Sequence, residues 1–331
     1  MPIIGIWADY LAHRAAHIED TVARGNAQLL RAGKEPYSIR YFHSAEEVEK
    51  GIADCEILYG YFPAGLIKKA ENLVWLHAAS AGVDVLLSDD VYAHPDKVVL
   101  THSNGSYGIT ISEYMVMMIL MLMRRQIEYN HLQIERTWKN VGQIRSIYGS
   151  RVVIVGTGDI GTNLARRLKA MGASKVIGLR RTLKAADPAF DTIGTLEHLE
   201  EALQGADVLA LCVPATSETN GLLSREIIAR MDPKTFVVNV GRGSAIDQEA
   251  LTEALKEGRL AGAALDVFTP EPLPKDDPLY DLPNVILTPH VAGNMSLSYT
   301  SDLNVDIFCR NLERYFNGEE LHHVVDRKLG Y

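Results

Sequence analysis

The chain has 331 residues, 47% of them apolar and 23% charged, and a formal net charge of −9 at pH 7. That length exceeds what one hydrophobic core usually covers, so two domains are expected, and the composition excludes a disordered chain. Net negative charge without a long basic run excludes a nucleic-acid surface, and three scattered cysteines exclude a disulfide framework or a metal knuckle. Cys55, Cys212 and Cys309 are expected as small buried apolar residues in a protein of the reducing cytoplasm.

The N-terminal stretch from Met1 to Asp9 has too short an apolar segment and no basic flank for a signal peptide, and reads as a first strand at Ile3–Trp7. A helix ending near Gly33 follows, then a strand at Tyr37–Phe42, and a helix opened by Ser44 and Glu47 as a capping box. A strand at Ile57–Tyr59, a helix at Ala64–Ala70, a strand at Leu73–His77, the loop Ala78–Asp84 and a strand at Val98–Thr101 continue the rhythm. Alternating strands and helices predict one small α/β domain.

Thr110 and Glu113 form a second capping-box pattern, which predicts a helix from there to about Arg125. Its most apolar run, Tyr114–Met123, is well short of the ~20 residues needed to span a bilayer. A helix apolar on nearly every face has to be covered by two layers or by a second subunit, and a homodimer is expected.

The run Val152–Val155 then reads as a parallel strand buried on both faces, and it leads through Gly156-Thr-Gly158-Asp159-Ile160-Gly161 into a helix with apolar Ile160, Leu164, Leu168 and Met171. In such a turn Gly156 permits the tight bend, Gly158 lets a pyrophosphate approach the backbone, and Gly161 lets helix and strand pack closely. Further strands at Val176–Leu179, Val208–Val213, Thr235–Val240, Gly262–Val267 and Val285–Thr288 predict a six-stranded doubly wound sheet. A last helix at Ser296–Phe316, closed by Asn317-Gly318 as a left-handed cap, is expected to return to the first domain.

Three polar residues fall just past the carboxyl ends of expected strands, where open α/β sheets bind ligands: Arg242, Glu271 and His290. Glycine and proline around each imply fixed turns. Hydride transfer to a carbonyl carbon leaves an alkoxide that needs a proton, which His290 can supply. A carboxylate bonded to the imidazole favours the charged ring and fixes its orientation, the part open to Glu271. Arg242 can grip a substrate carboxylate with two prongs, which selects 2-keto acids over plain ketones.

Taken together, Gly156-x-Gly158-x-x-Gly161, Val213-Pro214, Asn239-Val-Gly-Arg242-Gly, Asp266-Val-Phe-x-x-Glu271-Pro-Leu-Pro and Thr288-Pro-His290 make the chain resemble the D-isomer-specific 2-hydroxyacid dehydrogenases over nearly its whole length. The resemblance implies a Rossmann dinucleotide-binding domain, residues 104–293, inserted in a flavodoxin-like substrate domain, residues 1–103 and 294–331. Both are doubly wound parallel α/β domains. It implies His290 as acid/base, Glu271 as its partner and Arg242 as substrate anchor. Asp266 and the Val240 carbonyl would hold the nicotinamide amide, and the backbone of Ser80, Ala81, Gly82 and Val83 the substrate carboxylate. Tyr59, Phe62, Trp75, His77 and Trp138 fall where the resemblance puts the lining of the substrate cleft, but aromatic residues at strand ends are more often core.

Two departures stand out from that pattern. Where NAD-preferring members carry an acid after the second strand, this chain has Arg180, Arg181 and Thr182, which favours NADP(H) over NAD(H) through the 2′-phosphate. Ala292-Gly-Asn-Met295 lacks the hydroxyl residue expected after the glycine. The expected partner is a small 2-keto or 2-hydroxy acid, with no metal, nucleic acid or membrane. A dinucleotide-sensing binding protein of corepressor type is the alternative on the same fold, disfavoured by the full His, Glu and Arg set. A methyltransferase would leave Arg180, Arg181 and His290 without a task.

Overall fold

The computed structural model describes residues 1–7, 14–183 and 187–330. Ala8 and Asp9, the end of the N-terminal stretch read as strand, lie outside the described residues. The chain forms two compact units, one from Met1–Ser106 with Asn294–Tyr331, the other from Tyr107–Gly293.

The first unit carries a five-stranded parallel sheet of β1 (Ile3–Trp7), β2 (Ser38–Phe42), β3 (Cys55–Gly60), β4 (Trp75–Ala78) and β5 (Val99–His102), in the order β2-β1-β3-β4-β5. Helices α1 (Ala15–Arg31), α2 (Ala45–Gly51) and α3 (Ala64–Ile67) belong to it. Side chains alternate across each strand, so β3 sends Leu58 into one core and Ile57 with Tyr59 into the other. Ser44 caps α2 by accepting the Glu47 N–H at 3.2 Å, while the Glu47 carboxylate reaches back to the His43 N–H at 2.8 Å, one residue earlier than a capping box requires.

That double-sided core takes up four of the five aromatic residues and leaves them no place in a cleft lining. Tyr59, Trp75 and His77 are 0% exposed and Phe62 is 6% exposed, and the Tyr59 ring stacks on Phe308 at 4.0 Å. Both faces of the sheet are covered at its central strands, so the side chains of β3 and β4 enter packing. Trp138, by contrast, is fully exposed.

The second unit opens with α4 (Gly108–Met123) and α5 (Gln126–Ile134), then β6 (Arg151–Val155), α6 (Asp159–Ala170), β7 (Lys175–Arg180) and β8 (Thr192–Thr195). It continues with α7 (Leu199–Leu203), β9 (Val208–Leu211), α8 (Arg225–Arg230), β10 (Phe236–Asn239), α9 (Gln248–Lys256), β11 (Gly262–Leu265) and β12 (Val285–Leu287). The sheet has seven parallel strands, not six, in the order β12-β11-β10-β9-β6-β7-β8. The extra strand, β8, is the short edge segment Thr-Ile-Gly-Thr, with too little apolar character to register as a strand. It completes the doubly wound order, whose switch point lies between β6 and β9.

Helix α4 starts before the Thr110 box, and its N-cap, Tyr107, makes no side-chain cap bond. The Gly108 N–H is instead accepted by the Asp159 carboxylate, supplied by α6. Cys55 and Cys309 are buried, Cys212 partly so, and all three are unpaired. Met171 caps α6 at 38% exposure and does not extend its buried face. The chain then returns to the first unit as α10 (Ser298–Asn317), ended by Gly318 at φ 71°. A Cβ at Gly25 would fall 2.0 Å from Phe316, so α1 meets α10 along bare backbone. Among the described residues no helix is long and apolar enough to cross a membrane.

Candidate active site

The glycine turn sits between β6 and α6, at the switch point. Gly156 has φ 98°, and a Cβ there would fall 2.4 Å from the Cys212 carbonyl oxygen, so only glycine bends the chain here. A Cβ at Gly161 would fall 1.9 Å from the Gly156 carbonyl oxygen, while one at Gly158 meets nothing within 4 Å. The middle glycine thus faces open space at the start of a helix, where N–H groups and the helix dipole favour a diphosphate. The acid in this first turn is drawn aside: Asp159 accepts Asn163 Nδ2 at 2.9 Å as well as the Gly108 N–H, and burial raises its carboxyl above the usual aspartate range. The Thr157 hydroxyl is buried without a partner, a polar atom open to a ligand at the turn. The residues present fit a dinucleotide. Val213 and Pro214 follow β9 across the switch point, with Val213 and Val240 each 7% exposed. Arg180, the last residue of β7, is half-buried, and Arg181 and Thr182 past it are exposed.

Past β11 and β12 the chain builds a dyad. His290 has φ 53°, an uncommon conformation for a residue with a side chain, and its N–H donates to the Asp266 carbonyl at 2.8 Å. Its Nδ1 lies 2.9 Å from Glu271 Oε2. The other Glu271 oxygen accepts the Phe268 N–H at 2.9 Å, so the carboxylate is itself anchored. Nε2 is left as the ring atom to give or take a proton.

Asp266 is 1% exposed, and its carboxylate is already occupied by the Thr288 hydroxyl at 2.6 Å and the N–H groups of Val291 and Ala292 at 2.9 Å. Its side-chain hydrogen bonds are to the turn that carries His290. Thr288 spends its proton on Asp266 and therefore accepts from the Tyr114 hydroxyl, which burial pushes up to about 12 and so keeps a donor.

Arg242 stands between two glycines that tolerate no side chain: a Cβ at Gly241 would fall 2.5 Å from the Val213 oxygen, and one at Gly243 2.1 Å from the Phe268 carbonyl carbon. Asn239, wholly buried, holds the turn from both sides, donating to the Arg242 carbonyl at 2.9 Å and accepting the Gly241 N–H at 3.0 Å. The guanidinium is half-buried and donates through Nη1 to the Gly241 carbonyl at 2.7 Å. Arg242, Glu271 and His290 thus all sit on fixed turns at the carboxyl edge of one sheet.

In the first unit, the loop after β4 is a second polar feature. Every carbonyl from Ala78 to Gly82 is held by a donor. Ala78 accepts Ser103 Oγ at 3.1 Å, Ala79 accepts Asn304 Nδ2 at 2.5 Å, and Ser80 accepts the Ser103 N–H at 3.1 Å. Ala81 accepts His102 Nδ1 at 2.7 Å and Gly82 accepts Ser80 Oγ at 2.6 Å. Among the described residues the N–H groups of Ser80, Ala81 and Gly82 have no acceptor. Consecutive unpaired N–H groups on a pinned backbone make a cradle for an anion. Asn239, Thr288, His102 and Ser103 are the residues whose parts the sequence did not disclose; the first two stand inside motifs, the last two only beside the expected fifth strand. Met295 is 8% exposed, so the residue after the Gly293 turn packs inward.

A model of the family described as D-isomer specific 2-hydroxyacid dehydrogenase, NAD binding domain, matches residues 116–292. Glyoxylate/hydroxypyruvate reductase A of Klebsiella pneumoniae (strain 342) is 32% identical over 260 residues, covering 77% of this chain and 80% of that protein. Among solved structures, a D-isomer specific 2-hydroxyacid dehydrogenase family protein from Aeromonas salmonicida subsp. salmonicida A449 superposes with a TM-score of 0.81 at 33% identity, covering 98% of this chain and 99% of its own. An NADPH-dependent glyoxylate/hydroxypyruvate reductase from Sinorhizobium meliloti, solved with NADP and sulfate, reaches a TM-score of 0.79 at 27% identity, covering all of both chains. On these matches the chain belongs to the D-isomer specific 2-hydroxyacid dehydrogenases, oxidoreductases built around a nicotinamide dinucleotide.

Proposed function

We propose that the protein reduces 2-keto acids to D-2-hydroxy acids with NADPH, using His290 as the proton donor. The observation that carries this reading is the dyad: His290 in a left-handed backbone conformation, with Nδ1 bonded to an anchored Glu271. The glycine turn would hold NADPH, which would supply a hydride to the keto carbon. As the carbonyl bond opens, the oxygen takes the proton from His290 Nε2, and Glu271 stabilises the imidazolium before transfer. Arg242 binds the substrate carboxylate and leans positive charge toward the keto oxygen. Within the first unit, the N–H cradle of Ser80, Ala81 and Gly82 is suited to a carboxylate. Asp266 and Asn239 act on the turns that hold these groups. For the cofactor, Arg180 and Arg181 supply the charge that a 2′-phosphate needs, and the NADP-bound Sinorhizobium relative agrees with that choice.

Carboxylate recognition is tested by rate: pyruvate and glyoxylate are expected to be reduced, and acetone and acetaldehyde, which lack the carboxylate, to be reduced at least about a hundredfold less efficiently. Equal efficiency would remove Arg242 and the cradle from the account. Arg242→Lys is expected to raise KM for 2-keto acids roughly tenfold or more, since an ammonium cannot reproduce the two-pronged grip. An unchanged KM would put the anchor elsewhere.

The same reading includes a homodimer. Met117 is 47%, Ile134 80%, Trp138 103% and Ile144 46% exposed, an apolar series along α4, α5 and the segment after them that a second copy would cover. Light scattering at micromolar concentration is expected to give twice the 36.6 kDa chain mass. A monomer mass would contradict it.

A further inference from the structure

The N–H cradle after β4 depends on carbonyls that point the other way, and the residue that turns the middle one is His102. We infer that His102 is a positioning residue for the keto acid: it holds the Ala81 carbonyl so that the Gly82 N–H, the other side of the same peptide plane, stays aimed at the substrate carboxylate, while Ser103 holds the Ser80 carbonyl and with it the Ala81 N–H. This rests on the keto-acid reading of the cradle.

Donor counting fixes the protons. A backbone carbonyl can only accept, so the 2.7 Å contact between His102 Nδ1 and Ala81 requires hydrogen on Nδ1. Burial keeps His102 below the ordinary histidine range, opposed by that same bond, so the ring serves as a neutral donor in neutral solution. Its backbone is tied as well, its N–H donating to the His323 carbonyl at 3.2 Å.

Behind it runs a second, wholly buried chain of hydrogen bonds with one consistent direction. Trp75 Nε1 donates to Thr101 Oγ1 at 2.8 Å, which leaves the threonine proton for His77 Nδ1 at 2.6 Å. Ser103 spends its only proton on the Ala78 carbonyl, so at 3.1 Å it must accept from His77 Nε2. Burial lowers His77 to about 3, which keeps it neutral with hydrogen on Nε2. The chain fixes Ser103, whose N–H in turn holds the Ser80 carbonyl at 3.1 Å. Ser80 and Ala81 are therefore oriented by consecutive residues of one neighbouring strand end, Ser103 and His102. His102 is the member whose side chain does this alone, without a role in the core chain.

The side chain can be replaced so that only the donor changes. In His102→Asn the amide nitrogen falls near the position of Nδ1 and keeps the bond; His102→Leu fills similar space without a donor. Glyoxylate is titrated into wild type and both variants, following the Ser80, Ala81 and Gly82 amide resonances by NMR, and KM and kcat are measured in parallel with NADPH binding. Expected is a roughly three- to tenfold weaker glyoxylate affinity and higher KM in His102→Leu, with kcat and the NADPH dissociation constant little changed, and near-wild-type values in His102→Asn. Equal affinity in wild type and His102→Leu, or equal weakening in both variants, overturns the role of His102. Wild-type amides that do not respond to glyoxylate overturn it too. Binding at these amides without turnover would instead overturn the reductase reading and leave the cradle standing.

Discussion

His290→Ala is expected to lower kcat by roughly 10²- to 10⁴-fold while NADPH binding is unchanged. The size follows from the role proposed for the ring: without it the oxygen of the reduced carbonyl would have to take its proton from water, at the moment when charge builds on it. The backbone sharpens the prediction. His290 holds φ 53°, secured by its N–H to the Asp266 carbonyl and by the Asp266 carboxylate on the next two N–H groups. The turn is therefore set by Asp266 and survives loss of the imidazole, so the variant is expected to fold with its cofactor site intact. A folded His290→Ala with near-normal kcat would sink the assignment.

The second large effect concerns cofactor choice. The end of β7 lies beside β6, whose glycine turn would hold the pyrophosphate, so the residue there decides between a ribose 2′-hydroxyl and a 2′-phosphate. Arg180 has no acceptor for a hydroxyl and can donate to phosphate oxygens; Arg181 adds charge next to it. One charge-assisted contact contributes about 1.5–3 kcal/mol, so one or two give roughly ten- to several-hundred-fold preference for NADPH in kcat/KM. Arg180→Asp is expected to abolish or invert that preference with kcat on the favoured cofactor largely kept. A variant that retains the wild-type NADPH preference would mean that Arg180 does not meet the 2′-phosphate.

How far the sequence could be read depended on whether the deciding contact was local. Strands buried on both faces, such as Val152–Val155 at 0% exposure, announce themselves as unbroken apolar runs. Strand β8 does not, because an edge strand needs no apolar run. The Thr110 to Glu113 pattern suggested a helix start, yet α4 begins at Gly108, whose N–H is taken by Asp159 of another helix, a partner no local pattern can reveal. Aromatic residues near strand ends were ambiguous between core and cleft lining for a related reason: alternation along a strand does not say whether a face is covered, and burial of Tyr59, Phe62, Trp75 and His77 decides for the core.

The site divides in the same way. Glycine roles were legible, because a tight bend, an open approach and a close helix contact each demand a missing side chain at a defined place in the turn. His290 and Glu271 were legible as a pair of residues past strand ends, and they meet at 2.9 Å. The work of Asn239, Asp266 and Thr288 was not, since Asn239 and Asp266 act through bonds to backbone and Thr288 through the Asp266 carboxylate, partners whose direction only the folded turn supplies. His102 and Ser103 were further out of reach. They serve a loop that follows a different strand, and the parallel pairing of β4 with β5 is what brings them to it.

The central claim is that this chain moves a hydride between NADPH and a 2-keto acid. Its most direct test is the initial rate of NADPH oxidation, with NADH run in parallel, against glyoxylate, hydroxypyruvate, pyruvate and bulkier 2-keto acids. The account predicts saturable turnover of at least one of these acids, with kcat/KM for NADPH at least about tenfold above that for NADH. A protein that binds the dinucleotide but oxidises it with none of these acids would contradict the account.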